Sequence, residues 1–261
     1  RRVVRTSASV SQGSACGGVG NSGLPRLASN SRHRRAGPPS HHAMARAFAG
    51  VKRELLRKLA EADRSPKGSV DAPIAQLLAA INQLPRFVTT SSCSGRISLY
   101  AHGPGLAPGA DDGGAGAGAG DAGADGASKG GGRWLFVSHE AVLTLSDLTG
   151  ALAEAERYPA SSLVLLVEGF LLHCQCVDLA AARALMRVAV ASGFRESGIG
   201  IGGGGKIIVA VRSSACALEV PLRHAGVTIA APPYLAALTD IANERFAQVA
   251  SRRQRFADTL Y

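Results

Sequence analysis

FVTTSSCSGRISLYA, residues 87–101, is the stretch on which the predicted fold of this chain depends. Its Val, Thr, Ile, Tyr and Phe residues favour extended structure, so the stretch predicts a β-strand. Small polar residues interrupt that pattern from Ser91 to Gly95, which is typical of a break in a strand. Three hydroxyls, a thiol, a glycine and an arginine are crowded there. Such a cluster can bind an anion or a cofactor, although a serine-rich turn has the same pattern.

Helices and pairs of strands are predicted on both sides of this stretch. Upstream, Asp71 is placed to cap a helix in which Ile74, Leu77, Leu78 and Ile81 share one apolar face. Downstream, strands are predicted at residues 133–139, 163–176, 206–212 and 218–222, and single helices lie between several of them. Paired strands with single helices indicate an α+β fold, in which helices pack on a mixed or antiparallel sheet.

A glycine run at residues 198–205 matches the spacing of two nucleotide-binding motifs. Both motifs require a helix to follow the glycines, because the amides of its first turn hold the phosphate. Here the residues after Lys206 are Ile207, Ile208 and Val209, which predict a strand. We therefore interpret the run as a hairpin loop and exclude a Rossmann or P-loop fold.

The positive charge of the chain is concentrated at its start. Ten of the 29 Lys and Arg residues precede Glu54, the first acidic residue, and the remaining 19 match the 19 Asp and Glu residues. Residues 1–50 lack apolar periodicity and predict a disordered basic tail. Residues 51–261 predict a single domain, since 46% hydrophobic and 18% charged residues are ordinary for a globular chain. Residues 103–132, rich in Gly and Ala, predict a low-complexity loop within it.

Cysteine content and hydropathy bear on the cellular location. Five cysteines at irregular spacing argue against a disulfide framework and for a reducing compartment, so we expect a cytoplasmic protein. Residues 1–43 also have the basic, hydroxylated composition of an organelle transit peptide, but we prefer a start at Met44 without targeting. The longest apolar run, at residues 161–174, is interrupted and too short for a membrane span.

Six short motifs occur in one order along the chain. They are ADRSPKGSVD at 62–71, TTSSCSGRI at 89–97, SH at 138–139, FLLH at 170–173, GFRESGI at 193–199 and LEVPL at 218–222. This string resembles the tRNA wybutosine-synthesizing protein 3 family. The resemblance covers residues 60–222 and more loosely the last helix. It is interrupted by the insert at residues 103–132 and by the glycine run.

The resemblance implies a methyltransferase that uses S-adenosyl-L-methionine. Its expected reaction is methyl transfer to N4 of 7-(3-amino-3-carboxypropyl)-4-demethylwyosine at position 37 of the anticodon loop of tRNA-Phe. The acceptor N–H must lose a proton, so we expect a base among the motif residues Asp71, His139 and His173.

The remaining site predictions concern binding. The residues expected to bind the cofactor are Ser91, Ser92, Cys93, Ser94, Gly95, Arg96 and Glu219. The residues expected to contact anticodon-loop phosphates are Lys67, Arg195, Lys206 and Arg212, although each could equally be an exposed surface charge.

Two other functional classes stay open at this point. A non-catalytic RNA-binding module could recognise a modified anticodon loop with the same motifs, and cofactor binding would distinguish the two. A zinc-dependent enzyme is a weaker alternative, with Cys93, Cys174 and Cys176 plus a histidine as ligands. We expect no metal, because small buried cysteines are common in protein cores and the chain lacks a deaminase signature.

Overall fold

The computed structural model describes residues 41–61, 70–106 and 132–260. Lys67, residues 1–40 and most of the predicted loop at 103–132 lie outside these ranges, so the predictions for them stay predictions. Nine strands and five α-helices are described. The helices are α1 (His41–Glu61), α2 (Ala72–Gln83), α3 (Leu145–Glu156), α4 (Leu179–Ala191) and α5 (Pro232–Leu260).

The strands form two antiparallel sheets. The strands are β1 (Phe87–Cys93), β2 (Arg96–His102), β3 (Gly132–Ser138), β4 (Ser162–Glu168), β5 (Leu171–Cys176), β6 (Gly198–Ile201), β7 (Ile207–Arg212), β8 (Leu218–His224) and β9 (Val227–Thr228). The first sheet has the order β1-β5-β7-β6 and the second β3-β2-β4-β8-β9. The α+β prediction is confirmed, whereas the division into two sheets was not anticipated.

The chain passes from one sheet to the other at two neighbouring places, between β1 and β2 and between β4 and β5. Only Ser94 and Gly95 separate β1 from β2, and only Gly169 and Phe170 separate β4 from β5. The polar break predicted within residues 87–101 is therefore a change of sheet. We call the Ser94–Gly95 connection the sheet junction. Gly95 has φ +96°, which side chains other than glycine rarely adopt.

Each sheet buries one face in a hydrophobic core of its own. In the first sheet, Leu172 and Cys174 pack with residues of α2 and α4. In the second, Leu99 and Leu165 pack with residues of α3. The long helix α5 contributes to both cores, because its first half belongs to the second core and its last turns to the first. The two sheets are thus joined both by continuous strands and by one shared helix.

Most predicted elements lie where the sequence placed them. Asp178 caps α4 by accepting a hydrogen bond from the backbone N–H of Ala181, and Gly193 ends that helix with φ +94°. The glycine run joins β6 to β7 as a hairpin, so the exclusion of both nucleotide-binding motifs is confirmed. Helix α1 begins at His41, ten residues before residue 51, at which the predicted domain starts. Within the described ranges, no helix has the length and apolarity needed to cross a membrane.

We expect Gly95→Ala to destabilise the protein, because the junction has no room for a side chain. A Cβ atom at this position would lie 2.6 Å from Cγ1 of Val249 and 3.0 Å from the carbonyl oxygen of Glu168. The positive φ and the overlap together should cost about 2–4 kcal/mol of unfolding free energy. Gly150→Ala is the matched control, since it lies in α3 with nothing within 4 Å of its Cβ, and should stabilise by about 0.5–1 kcal/mol. Urea denaturation of both variants measures the difference, and equal stability would contradict this account of the junction.

Candidate functional site

Asp71 forms the centre of a cluster at the sheet junction. It occupies the residue before α2 but makes no capping hydrogen bond with its side chain. Its Oδ2 atom instead accepts a hydrogen bond from the backbone N–H of Ser94 at 2.8 Å and lies 3.2 Å from Nδ1 of His139. The predicted cap thus connects α2 to the junction. The side chains of Asp71 and His139 are only 11% and 15% exposed, so solvent screens their interaction weakly.

His139 directly follows β3, and its Nδ1 atom faces several acceptors at once. Besides Asp71, the carbonyl oxygen of Gly95 lies at 3.1 Å and Sγ of Cys93 at 3.8 Å. Nδ1 carries at most one hydrogen, which Asp71 and Gly95 share. Nε2 has no hydrogen-bond partner within the described ranges. The cluster therefore fixes the ring through one nitrogen and leaves the other for chemistry.

The two charged groups shift each other's protonation. The hydrogen bond to Asp71, followed by the one to Cys93, raises the pKa of His139 to about 9, although burial opposes this. Burial raises the pKa of Asp71, but hydrogen bonds from His139 and from the backbone of Ser94 outweigh that effect and hold it well below its usual range. At neutral pH the pair is an imidazolium and a carboxylate.

Asp71, Cys93 and His139 could together hold a metal ion. Their ligand atoms lie within 4.8 Å of one another, and the described part of the chain contains no other group of three such ligands. A carboxylate, a thiolate and an imidazole suit zinc. This group is not the zinc site considered from sequence, which included Cys174 and Cys176. Those two side chains point into the first core, and their thiols contact backbone carbonyl groups. The hydrogen bond with Cys176 and burial raise the pKa of Cys174 far above its ordinary value, which suits a core thiol.

Arg253 of α5 contacts the same junction. Its Nη1 atom donates a hydrogen bond to the carbonyl oxygen of Ser94 at 2.8 Å. Burial lowers the pKa of this guanidinium, and the nearby charge of Asp71 counteracts the decrease. The sequence showed only a basic helix end here. No spacing rule relates Arg253 to Ser94, which precedes it by 159 residues.

Arg96 is held by partners inside the protein. It forms a two-point ion pair with Glu168 on the neighbouring strand β4, and its guanidinium carbon lies 4.8 Å from the ring centre of Trp134. The Arg96 side chain is 11% exposed and that of Glu168 is 43% exposed. Glu168, rather than Arg96, therefore presents its charge to solvent, and a direct cofactor role for Arg96 stays a prediction. Glu168 and Trp134 were both missed, although they precede the FLLH and SH motifs by only two and four residues.

His173 lies on β5 of the first sheet. Its Nδ1 atom is 2.8 Å from Oγ of Ser91, its cross-strand neighbour on β1. Cys93 lies two residues after Ser91 on the same face of that strand. The structure therefore brings Asp71, Cys93 and His139 into contact and places His173 beside Ser91. The predicted cofactor residues Ser92 and Glu219 lie on different sheets. Ser92 is on β1 of the first sheet, and Glu219 is exposed on β8 of the second.

The predicted RNA-contacting residues in the described ranges are exposed. Arg195 precedes β6, Lys206 precedes β7 and Arg212 ends β7, so all three lie around the β6–β7 hairpin. Arg212 donates to the carbonyl oxygen of Glu196 through Nε. These cations lie on the first sheet, the one that also carries His173. Their contact with RNA stays a prediction.

Comparison with known proteins gives the family. The model of the family described as Methyltransferase TYW3 matches residues 50–261. The chain belongs to this family and is a methyltransferase. The tRNA wybutosine-synthesizing protein 3 homolog of Danio rerio is 38% identical over 213 residues, which cover 82% of this chain and 74% of that protein. The tRNA wybutosine-synthesizing protein 3 of Schizosaccharomyces pombe is 39% identical over 184 residues, which cover 67% of this chain and 68% of that protein.

A solved structure supports the fold. This TYW3-family chain is similar to a Pyrococcus horikoshii protein with a TM-score of 0.65 and 28% sequence identity. The match covers 84% of this chain and 98% of that chain. The resemblance inferred from the six motifs is therefore confirmed at the level of family.

We expect the stability of this methyltransferase to depend on pH through His139. Because the folded-state pKa is raised from 6.5 to about 9, the stabilisation is fully present below pH 6.5 and is lost as the pH rises through 9. The Asp71 and His139 shifts describe one interaction, which contributes on the order of 3 kcal/mol. The unfolding free energy of the wild type minus that of His139→Asn should fall by about this amount between pH 6 and 10. In an Asp71→Asn background, the His139→Asn substitution should show little of this pH dependence. If the stability difference between the wild type and His139→Asn does not change with pH, the ion pair is contradicted.

Proposed function

We propose that this TYW3-family methyltransferase acts on tRNA in wybutosine biosynthesis. The family match over residues 50–261 carries this proposal. In finer detail, S-adenosyl-L-methionine is the methyl donor, and the acceptor is N4 of 7-(3-amino-3-carboxypropyl)-4-demethylwyosine at position 37 in the anticodon loop of tRNA-Phe. A cytoplasmic location and a single catalytic domain at residues 51–261 belong to the same proposal.

The reaction is an in-line displacement at a methyl carbon. The bond from the methyl carbon to the sulfonium sulfur breaks as the bond to N4 forms, and the demethylated thioether leaves. The protein mainly has to align donor and acceptor about 3–3.5 Å apart. N4 also loses its proton, so the protein must provide an acceptor for it.

His139 is the proposed acceptor of this proton. Its Nδ1 is held by Asp71 and by the carbonyl oxygen of Gly95, which leaves Nε2 available. A carboxylate on one ring nitrogen orients an imidazole and raises the basicity of the other nitrogen. His139 must first be neutral, so the proposed base becomes more active at alkaline pH. His173, hydrogen-bonded to Ser91, is the second candidate.

The charges around the junction fit a donor that bears an ammonium and a carboxylate group. The methyl donor supplies an electrophilic methyl group when bound. The hydroxyls of Ser91 and Ser92 would hold its polar end, and the exposed carboxylate of Glu219 suits its ammonium or ribose hydroxyls. Arg195, Lys206 and Arg212 would contact phosphates of the tRNA.

The reaction is tested directly with purified protein. Labelled S-adenosyl-L-methionine and tRNA from cells lacking the protein should give label at position 37, identified by mass spectrometry. Isothermal titration with S-adenosyl-L-methionine should show saturable binding. A protein that binds the tRNA but neither binds the donor nor transfers label would instead be the RNA-binding module.

We expect kcat/KM for tRNA to rise about tenfold per pH unit below pH 9 and to level off above it, as His139 loses its proton. Asp71→Asn removes the largest cause of the raised pKa, so the midpoint should move to lower pH and the plateau should fall. His173→Asn is the comparison variant and should leave the midpoint in place. The measurement is kcat/KM, from initial rates at low tRNA concentration between pH 6 and about 10.5. A wild-type rate that decreases over this range, or a midpoint that moves only in His173→Asn, would reject His139 as the base.

A further inference from the structure

The second sheet has a face that turns away from its core and carries a row of rings. Ile97, Leu99 and Ala101 of β2 point into the core formed with α3 and α5. The residues between and beside them, which are Arg96, Ser98, Tyr100 and His102, therefore occupy the opposite face. Trp134 of the neighbouring strand β3 is the cross-strand partner of Tyr100 and shares that face.

These side chains form a continuous surface, which we call the ring strip and define as Arg96, Tyr100, His102 and Trp134. The ring centres of Tyr100 and Trp134 are 4.6 Å apart, and those of Tyr100 and His102 are 5.9 Å apart with an angle of 26° between the ring planes. Arg96 lies over Trp134 at 4.8 Å. All four residues are partly exposed. Rings at alternate positions on a sheet surface are suited to stacking with unpaired nucleic-acid bases.

The polar groups on the same face favour base edges over phosphates. Glu168, the cross-strand partner of Arg96, is paired with it and is 43% exposed. Carboxylates accept hydrogen bonds from base N–H groups and repel phosphate oxygens.

The ring strip is continuous with the Asp71 cluster. Arg96 directly follows Gly95, whose carbonyl oxygen faces Nδ1 of His139. Trp134 precedes His139 by five residues along β3 and its end, which corresponds to about 17 Å of extended chain. A nucleotide held at His139 would therefore place its neighbours over the strip.

We propose that the ring strip stacks the unpaired bases next to the acceptor nucleotide of the RNA substrate. This inference rests on the proposed tRNA substrate and adds the surface that holds its single-stranded loop. Trp134 provides the central stacking ring, with Tyr100 and His102 extending it away from the reaction centre.

The chain contains a single tryptophan, so its fluorescence reports on the strip directly. An anticodon stem-loop RNA should quench the emission of Trp134 saturably. A blunt duplex with the sequence of the same stem should not, because its bases are already stacked. Quenching by the duplex to the same extent would overturn the proposal, since it would indicate contact without unpaired bases.

Variants separate the strip from the reaction. Trp134→Leu and Tyr100→Leu should each weaken stem-loop binding about ten- to hundred-fold and raise KM for tRNA, with smaller effects on kcat and on donor affinity. Trp134→Phe should recover most of the loss. Tyr234→Leu, an exposed ring on α5, is the matched control. His102→Ala tests the same surface if Trp134→Leu does not fold.

The outcomes are distinguishable from failure of the proposed function. If the Trp134 and Tyr100 variants fold and bind the stem-loop as the wild type does, the strip is not an RNA surface, even where methyl transfer is observed. If they lose affinity for S-adenosyl-L-methionine rather than for RNA, the ring strip belongs to the donor site and the proposal is overturned. If the wild type transfers no methyl group but the variants lose stem-loop binding, the strip stands and the proposed reaction fails.

Discussion

Gly95 is a position where two strands and a helix approach each other closely at the site. A Cβ atom there would meet Val249 of α5 and the carbonyl oxygen of Glu168 on β4 within 3.0 Å. Because this contact requires a bare backbone, two strands and one helix can converge on the junction. The change of sheet and the packing of α5 against both sheets depend on this close contact. So does the meeting of Asp71, His139 and Arg253 at the junction.

The backbone of the junction is itself part of the site. The N–H of Ser94 donates to Asp71, the carbonyl oxygen of Ser94 accepts from Arg253, and the carbonyl oxygen of Gly95 faces His139. A change of sheet leaves these backbone groups outside the normal pairing of a strand, and buried groups of this kind require partners. Side chains from α2, α5 and the end of β3 supply those partners. The geometry of the fold thus explains why these three residues meet.

Much of the local structure could be predicted from sequence, and the site only in part. The strands, the glycine hairpin and the polar break from Ser91 to Gly95 follow from local propensity and turn chemistry. Propensity could not show that the break divides two sheets, since this depends on the pairing of β4 and β5 some 70 residues later. His139 and His173 look alike in sequence because both belong to strand motifs. Only the fold places Asp71 beside one of them and Ser91 beside the other.

The charged groups at the junction stand out because the chain from Glu54 onward has no net charge. From Glu54 onward the sequence carries equal numbers of basic and acidic residues, so net charge provides no general attraction for RNA there. At the junction, however, Asp71 lies beside two cations, the protonated His139 and Arg253, and all three side chains are largely withdrawn from water. Partly buried charges are screened less by salt than exposed ones. The two cations outweigh the carboxylate only while His139 is protonated. Once His139 is neutral, the charges of Asp71 and Arg253 balance each other, and Nε2 of His139 can accept a proton.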